Sequence, residues 1–309
     1  MKDYLYGIVD MHLHLNPSVS ERFFDLVEMA EIAKKAGYKA FLYKEHFLNT
    51  APMTSLIQKR MFPDMKPIIM GSTVLNNAMG GLNPEALKAA IKFGAKIAWL
   101  PTSSAKQHWS AERPKPTGKP RPVMPEALEK MEKLGMTGKP MVNVFGSRPD
   151  DKNLITLTDE GGELKAEVVE ILKITRDTPD FLLSSGHASV PEINALVDKA
   201  CELGTQGKLF IDHPNQIIGA TKEQMKVWAD KGAWIELVSS TDPEDAAEII
   251  RYVGPEHCFY GSDKGMMAEG HCAMRYNEYL NAVEAAGITE AEIRMMTSTT
   301  VSGLLGLDR

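Results

Sequence analysis

Short apolar runs rich in β-branched and aromatic residues alternate with amphipathic segments of helical period along most of the chain. That alternation is typical of βα units built around a parallel sheet. It predicts strands at 7–14, 39–46, 67–75, 96–101, 181–187, 208–214, 233–238 and 258–263. Eight strands with helices between them predict an α/β fold, the (β/α)8 TIM barrel. A doubly wound nucleotide-binding sheet would need a glycine-rich turn after the first strand, which "VDMHLHLNPS" lacks.

Two stretches interrupt this repeat. Residues 103–125 are rich in Pro, Lys and Arg and predict a long loop after strand 4, typical of a lid or a subunit contact rather than a packed element. Residues 140–164 predict a small hairpin insertion before strand 5. The whole chain, residues 1–309, is therefore predicted to form a single barrel domain with insertions.

Composition narrows the class of protein. Hydrophobic residues make up 43% of the chain and charged residues 25%, which is enough apolar material for a large core. The net charge of -6 argues against nucleic-acid binding, which needs a basic face. No segment approaches the roughly 18 apolar residues of a membrane span, and the start lacks a signal-peptide pattern. We therefore expect a cytoplasmic homo-oligomer that acts on a small molecule, without nucleic-acid or membrane partners.

The ends of the predicted strands carry the candidate chemistry. His12 and His14 are one residue apart at the end of strand 1, so they project to the same side. His187, His213 and Asp263 close strands 5, 6 and 8. Because the C-terminal strand ends of a barrel hold its active site, these five groups are expected to converge there. Nitrogen and carboxylate ligands without nearby thiols suit zinc, manganese or ferrous iron.

This ordered set resembles the amidohydrolase superfamily of metal-dependent barrels over the whole chain: His-x-His on strand 1, single histidines on strands 5 and 6, and an aspartate on strand 8. The resemblance implies that His12, His14, His187 and Asp263 bind a divalent metal, with zinc as the first choice and manganese or iron as alternatives. It also implies that His213 is either a further ligand or a group that polarises the substrate, and that Asp263 is the proton shuttle.

Strand 2 departs from that family pattern. Many binuclear members carry a carboxylated lysine at the end of strand 4, where "IAWLPTSS" has none. Strand 2 instead ends in "YKEH", which puts Lys44 and His46 on one face and Glu45 on the other. Lys44 and His46 are therefore candidate ligands, and because Lys44 or Glu45 could bridge two metals, the site is expected to hold one or two ions. The alternative for Lys44 is a buried cation that pairs with an acid or with a substrate carboxylate.

The loops supply candidates for substrate binding. Arg113, Arg121 and Arg148 are candidate partners for an anionic substrate. His108 and His271, in the loops after strands 4 and 8, could both touch the substrate, but solvated loop histidines are expected; of the two, His271 is kept as a candidate for substrate binding.

The leading hypothesis is a metal-dependent hydrolase that activates water to cleave an amide, a lactone or a similar bond of a small molecule. Asp263 would transfer the proton and His213 would stabilise the oxyanion. The alternatives are a non-oxidative decarboxylase on the same scaffold and a non-catalytic metal-binding barrel. A phosphoesterase that opens with His-x-His ranks below the decarboxylase, because "GSDKG" lacks the closing Asp-x-His pair.

Overall fold

The computed structural model of the protein describes residues 1–64, 67–110, 123–136 and 148–308. Eight parallel strands form one sheet, in which their order is their order along the chain. They are β1 (Val9–Leu13), β2 (Ala40–Tyr43), β3 (Ile68–Val74), β4 (Ala95–Trp99), β5 (Leu182–Ser184), β6 (Leu209–Ile211), β7 (Trp234–Val238) and β8 (Cys258–Gly261). All eight predicted strands are confirmed, and with them the (β/α)8 barrel.

Backbone hydrogen bonds join the two ends of the sheet. The N–H of His14 donates to the carbonyl of Lys264 at 2.8 Å, and the N–H of Asp263 donates to the carbonyl of His12 at 2.7 Å. This pairing brings the candidate ligands of the first and last strands side by side.

Helices alternate with the strands and cover the barrel. They are α1 (Leu26–Ala36), α2 (Ala51–Met61), α3 (Pro84–Lys92), α4 (Pro125–Lys133), α5 (Ala166–Asp177), α6 (Val190–Leu203), α7 (Lys222–Asp230), α8 (Pro243–Val253), α9 (Cys272–Ala285), α10 (Glu290–Arg294) and α11 (Thr300–Leu304). The bounds of α1 follow from its sequence, because Asp25 and Glu28 form a capping box at its start and Gly37, with φ of 74°, ends it. Across the described ranges, no helix is both long enough and apolar enough to cross a membrane.

The barrel interior is filled by large apolar side chains that belong to one buried cluster: Met11, Leu42, Trp99, Phe210 and Phe259. Side chains of α11 belong to the same cluster. Ser302 of α11 also accepts a hydrogen bond at 2.9 Å from Lys39, which precedes β2. The helix α11 therefore covers the N-terminal end of the barrel, and the polar groups collect at the other end.

A bulge in β1 lies directly at the two histidines. The pairing of β1 with β2 runs from Asp10 with Phe41 to Leu13 with Tyr43, so β1 contains one extra residue. Because of the extra residue, Met11 packs in the barrel interior while His12 and His14 both reach the C-terminal pocket. Bulges of this kind re-aim side chains beside active sites.

The predicted interruptions fall between β4 and β5. Within the described part of the predicted insertion, Thr158 and Leu164 form an isolated antiparallel bridge, and the hairpin over 140–164 stays a prediction. Residues 111–122 of the predicted long loop and residues 140–147 of the predicted insertion lie outside the described residues.

Candidate metal centre and active site

Polar side chains from six strands converge at the C-terminal end of the barrel. They are His12, His14, Lys44, His46, His187, Asp212, His213, Glu236 and Asp263. All of them are buried except Asp263, whose side chain is 25% exposed. The candidate site therefore lies at the end where barrels of this class hold their chemistry, and one carboxylate of the site is open to the pocket.

His12, His14 and Asp263 form the tightest group of candidate ligands. Asp263 Oδ1 lies 3.2 Å from His12 Nε2 and 3.3 Å from His14 Nε2. Two ligand atoms bound at about 2.0–2.1 Å to one tetrahedral ion lie about 3.3 Å apart, so this spacing matches the edges of a zinc coordination sphere.

Protonation states in this group suit metal binding. Burial lowers the pKa of His14 to about 4, with Asp263 opposing the shift. Burial and then the charge of Lys44 lower the pKa of His12 well below its usual range. Burial alone would raise the pKa of Asp263, but proximity to His12 and a hydrogen bond with His14 hold it well below its usual range. Two neutral imidazoles therefore face an ionised carboxylate.

Two further carboxyl groups adjoin His12. Glu236 Oε1, in β7, lies 3.0 Å from His12 Nδ1, and Asp212 Oδ1, which follows β6, lies 3.7 Å from the same nitrogen. Burial and then the charge of Asp212 raise the pKa of Glu236 well above its usual range. Despite burial, proximity to His213 and Lys44 holds the pKa of Asp212 well below its usual range. At neutral pH Asp212 is therefore an anion and Glu236 a neutral acid.

A second group of candidate ligands is wider. Asp212 Oδ2 lies 3.5 Å from His213 Nε2 and 3.9 Å from His187 Nε2. Burial and then the neighbouring His108 lower the pKa of His187 well below its usual range. This group lies beside the first one, since the rings of His12 and His213 are stacked with their centroids 5.9 Å apart.

His108 belongs to the site, and the expectation of a solvated His108 is wrong. Its Nδ1 lies 2.7 Å from His187 Nδ1, and the residue is only 1% exposed. The reason is local: Trp109 Nε1 donates to the carbonyl of Ser103 at 2.6 Å, which folds the turn after β4 back towards the barrel.

Lys44 lies between the two groups. Its Nζ is 2.9 Å from His12 Nε2, 3.6 Å from Asp212 Oδ2 and 4.5 Å from the ring centroid of Trp99. The amine of Lys44, at the end of β2, thus lies in the middle of the candidate site and over the ring of Trp99 in β4.

His46 follows β2 and stacks on His14, with ring centroids 5.0 Å apart and planes 26° from parallel. Its Nδ1 lies 2.9 Å from Thr102 Oγ1. Burial and then His14 lower the pKa of His46 well below its usual range. Glu45 lies instead beside Ser18 and Arg22, and burial raises its pKa. After the end of β2, Lys44 and His46 therefore contact His12 and His14, whereas the side chain of Glu45 lies away from these histidines.

The backbone is strained at two of the candidate residues. His213 has φ of 28° and Asp263 has φ of 48°. Positive φ is uncommon for residues other than glycine, and such strain is concentrated at functional sites. The chain continues after His213 into a π-helical turn, Pro214–Ile218, another feature that is frequent at functional sites.

The predicted substrate-binding residues of the loops are not brought to this cluster within the described part of the chain. Arg148 is half exposed and pairs with Asp151. His271 Nδ1 accepts from the N–H of Met274 at 3.4 Å at the start of α9, and its ring packs edge-on against Phe24. Arg113 and Arg121 lie outside the described residues. Roles of these four residues in substrate binding stay predictions.

Sequence reasoning missed Asp212 and Glu236. A signal existed for Glu236, because an acid in the middle of the apolar run "WIELV" is rarely buried without a partner. Asp212 is the neighbour of His213, and strand alternation would let only one of two neighbours face the site. Strand β6 ends at Ile211, so that rule does not apply beyond it.

Several solved structures share this fold with the chain. An amidohydrolase from Burkholderia multivorans matches with a TM-score of 0.54 and 9% identity, over 97% of this chain and 99% of that chain. An amidohydrolase from Pseudomonas aeruginosa matches with a TM-score of 0.53 and 9% identity, over 97% of each chain. The putative 2-pyrone-4,6-dicarboxylic acid hydrolase from Pseudomonas putida matches with a TM-score of 0.52 and 13% identity, over 98% of each chain. The predicted resemblance to amidohydrolase barrels is therefore confirmed for the fold.

The chain belongs to the Family of unknown function (DUF6282), whose sequence model matches residues 7–236. The matched range contains β1 to β6 and most of the candidate ligands, and it ends before Asp263. No curated protein matches the chain significantly.

Proposed function

We propose that the protein is a metal-dependent hydrolase that cleaves an amide, a lactone or a similar bond of a small molecule. The observation that carries the proposal is the spacing of Asp263 Oδ1 from Nε2 of His12 and of His14, 3.2 and 3.3 Å. Two neutral imidazole nitrogens, each at the spacing of a coordination-sphere edge from the same carboxylate oxygen, support a tightly held divalent ion.

The donor set supports zinc, with manganese or ferrous iron as alternatives, because nitrogen and carboxylate oxygen are ligands that all three accept. His12 Nε2 has a single lone pair, so an ion held there replaces its contact with Lys44. The wider group of His187, Asp212 and His213 supports a weaker, second position for an ion. Lys44, between the two groups, is proposed as a ligand or as a partner of the substrate.

Such an ion supplies Lewis acidity, which polarises a carbonyl and lowers the pKa of water towards ~7. Asp263 is ionised and partly exposed, so it is proposed to accept a proton and return it to the leaving group. His213, whose Nε2 edge faces Asp212 in the same pocket, is proposed to stabilise negative charge on the substrate oxygen.

The first experiment measures metal per chain by elemental analysis. The double variant His12→Ala with His14→Ala is expected to lose the metal that the wild type holds, because it removes two of three ligands. His257→Ala is the matched control, since this histidine lies before β8, at the opposite end of the barrel, and is 36% exposed. Equal metal content in the wild type and in the double variant would remove the proposal.

The second experiment tests turnover. Wild type and Asp263→Asn are compared on the best substrate from a screen of amides, lactones and esters. The Asn variant is expected to keep the fold and most of the metal while kcat falls by about 10²–10⁴-fold, because an amide cannot accept the proton. A near-normal rate with metal in place would show that Asp263 is not the shuttle.

Other outcomes of the same screen identify the alternatives. Release of carbon dioxide from a carboxylated substrate would indicate the decarboxylase. A metal-bound protein that turns over no compound would favour the non-catalytic barrel. The homo-oligomer and the cytoplasmic location stay predictions.

A further inference from the structure

The ammonium group of Lys44 is surrounded by groups that attract positive charge. Its Nζ lies 3.6 Å from Asp212 Oδ2 and 4.5 Å from the ring centroid of Trp99, and the residue is fully buried. A buried cation is stable only when it is paired, and a carboxylate and the face of a tryptophan ring are both suitable partners. Nζ also lies 2.9 Å from His12 Nε2, to which it can donate a hydrogen bond. Lys44 is therefore held as a cation between the two groups of candidate ligands.

Lys44 and the second group of candidate ligands share one oxygen atom. Asp212 Oδ2 lies 3.5 Å from His213 Nε2, 3.9 Å from His187 Nε2 and 3.6 Å from Lys44 Nζ. The ammonium group is thus as close to this oxygen as the two imidazoles are. A divalent ion bound to Oδ2 at about 2.0–2.2 Å would lie within about 6 Å of Nζ, so it would compete with Lys44 for the same carboxylate.

The first group differs, because its carboxylate belongs to another residue, Asp263. An ion in this group replaces the contact of Lys44 with the neutral imidazole of His12, and it leaves the ammonium group its carboxylate and its aromatic ring. An ion in the second group would instead replace the contact with Asp212 and leave a buried positive charge beside a divalent ion. Buried like charges repel strongly, and a buried charge without a partner is costly. The first position is therefore the one that Lys44 permits.

The charge balance of the site favours the same arrangement. Asp212 and Asp263 are ionised carboxylates of the site, whereas Glu236 is a neutral acid. With one divalent ion and Lys44, the positive charges exceed those of the two carboxylates by one. A second ion would make that excess three, in a buried site where charge is poorly screened.

We propose that the ammonium group of Lys44 takes the place of a second metal ion, so that the site holds one divalent ion, in the group of His12, His14 and Asp263. The inference rests on the hydrolase function proposed above and decides between one and two ions. Of the two roles proposed above for Lys44, it excludes the ligand, because an ammonium group has three N–H donors and no lone pair.

The number of ions per chain distinguishes a cation from a ligand at position 44. Each protein is freed of metal, incubated with excess zinc, desalted and analysed for zinc and protein. We expect about one zinc per chain in the wild type and in Lys44→Arg, which keeps the charge, and about two in Lys44→Met, which removes the charge at similar length. A Lys44 amine that binds a second ion would give the opposite result, two zinc ions in the wild type and one in Lys44→Met. That result would overturn the proposal, as would one zinc ion in all three proteins.

Further variants locate the ions. The single zinc of the wild type should be lost in His14→Ala and kept in His187→Ala. Lys44→Met combined with His187→Ala should return to one zinc, because the second group holds the added ion. Lys226→Met, which changes a surface lysine paired with Asp230, is the control and should hold one zinc. Loss of the wild-type zinc in His187→Ala would overturn the proposal, and this measurement does not require Lys44→Met to fold.

A wild type that holds no zinc would contradict the proposed hydrolase, and the variants would still decide the role of Lys44. Uptake of zinc by Lys44→Met but not by Lys44→Arg, abolished by His187→Ala, would support a cation in the place of an ion. Failure of both Lys44 variants to take up zinc would overturn that role.

Discussion

His12 Nδ1 lies 3.0 Å from Glu236 Oε1, although the two residues are 224 positions apart in the chain. The contact crosses from β1 to β7 and orients the first candidate ligand. A carboxyl group that accepts the distal N–H of a ligating histidine fixes its tautomer and ring orientation. Glu236 is therefore a positioning residue for the candidate metal centre.

Replacing Glu236 tests this relationship and its protonation state. Burial and Asp212 raise the pKa of Glu236, so glutamine, which is neutral and can accept from His12, should preserve zinc affinity. Glu236→Leu removes the acceptor and should lower zinc affinity by about 10–100-fold. Competition with a chromophoric chelator measures both values. If Gln is as damaging as Leu, the ionised form of Glu236 is the one that the site needs.

Gly261 of β8 makes the approach of β1 and β7 possible. A Cβ at this position would lie 2.5 Å from Glu236 Oε1 and 2.6 Å from His12 Cβ. Gly261→Ala should therefore destabilise the protein by roughly 1–3 kcal/mol and weaken zinc binding, because both neighbours are buried. Urea unfolding measures the effect. Gly207→Ala is the control, since its Cβ would meet nothing within 4 Å, and equal unfolding curves for the two variants would contradict the prediction.

The free energy of unfolding of the metal-free protein should fall as the pH falls from 7 to 4. Burial lowers the pKa of His14 from its ordinary 6.5 to about 4, so between these values the unfolded chain binds a proton that the folded chain does not. This contribution to the free energy of unfolding is roughly 3 kcal/mol. It is fully present above about pH 6.5 and is lost as the pH falls to about 4.

Chemical denaturation at a series of pH values, with chelator present, measures this slope. His14→Asn should make the slope shallower, because asparagine does not titrate, while His12, His46 and His187, whose pKa values are also lowered, still contribute. Gly207→Ala, which changes no titrating group and whose Cβ would meet nothing within 4 Å, should leave the slope unchanged. The same slope in His14→Asn and in the wild type would show that His14 is not held neutral by burial.

The sequence alone was sufficient for the architecture and for the convergence of the first group of candidate ligands. Apolar runs predict the strands because a strand inside a barrel is buried, and glycine ends α1 because it adopts positive φ at Gly37 without strain. His12, His14 and Asp263 were predicted to converge because the strand ends of a closed barrel meet, and the structure places Asp263 Oδ1 within 3.3 Å of Nε2 of both histidines. These are properties of local pattern and of chain topology.

Tertiary structure alone decided the protonation and hydrogen-bond direction of the site. The sequence "WIELV" does not reveal that Glu236 is a neutral acid. The pKa of Glu236 depends on burial and on Asp212, which follows a different strand. The contact of His46 Nδ1 with Thr102 Oγ1 likewise depends on the fold, since Thr102 follows β4 and accepts a hydrogen bond from Asn76, which follows β3. A residue type specifies which protons it can carry, but the partners that the fold places around it determine where each proton is held.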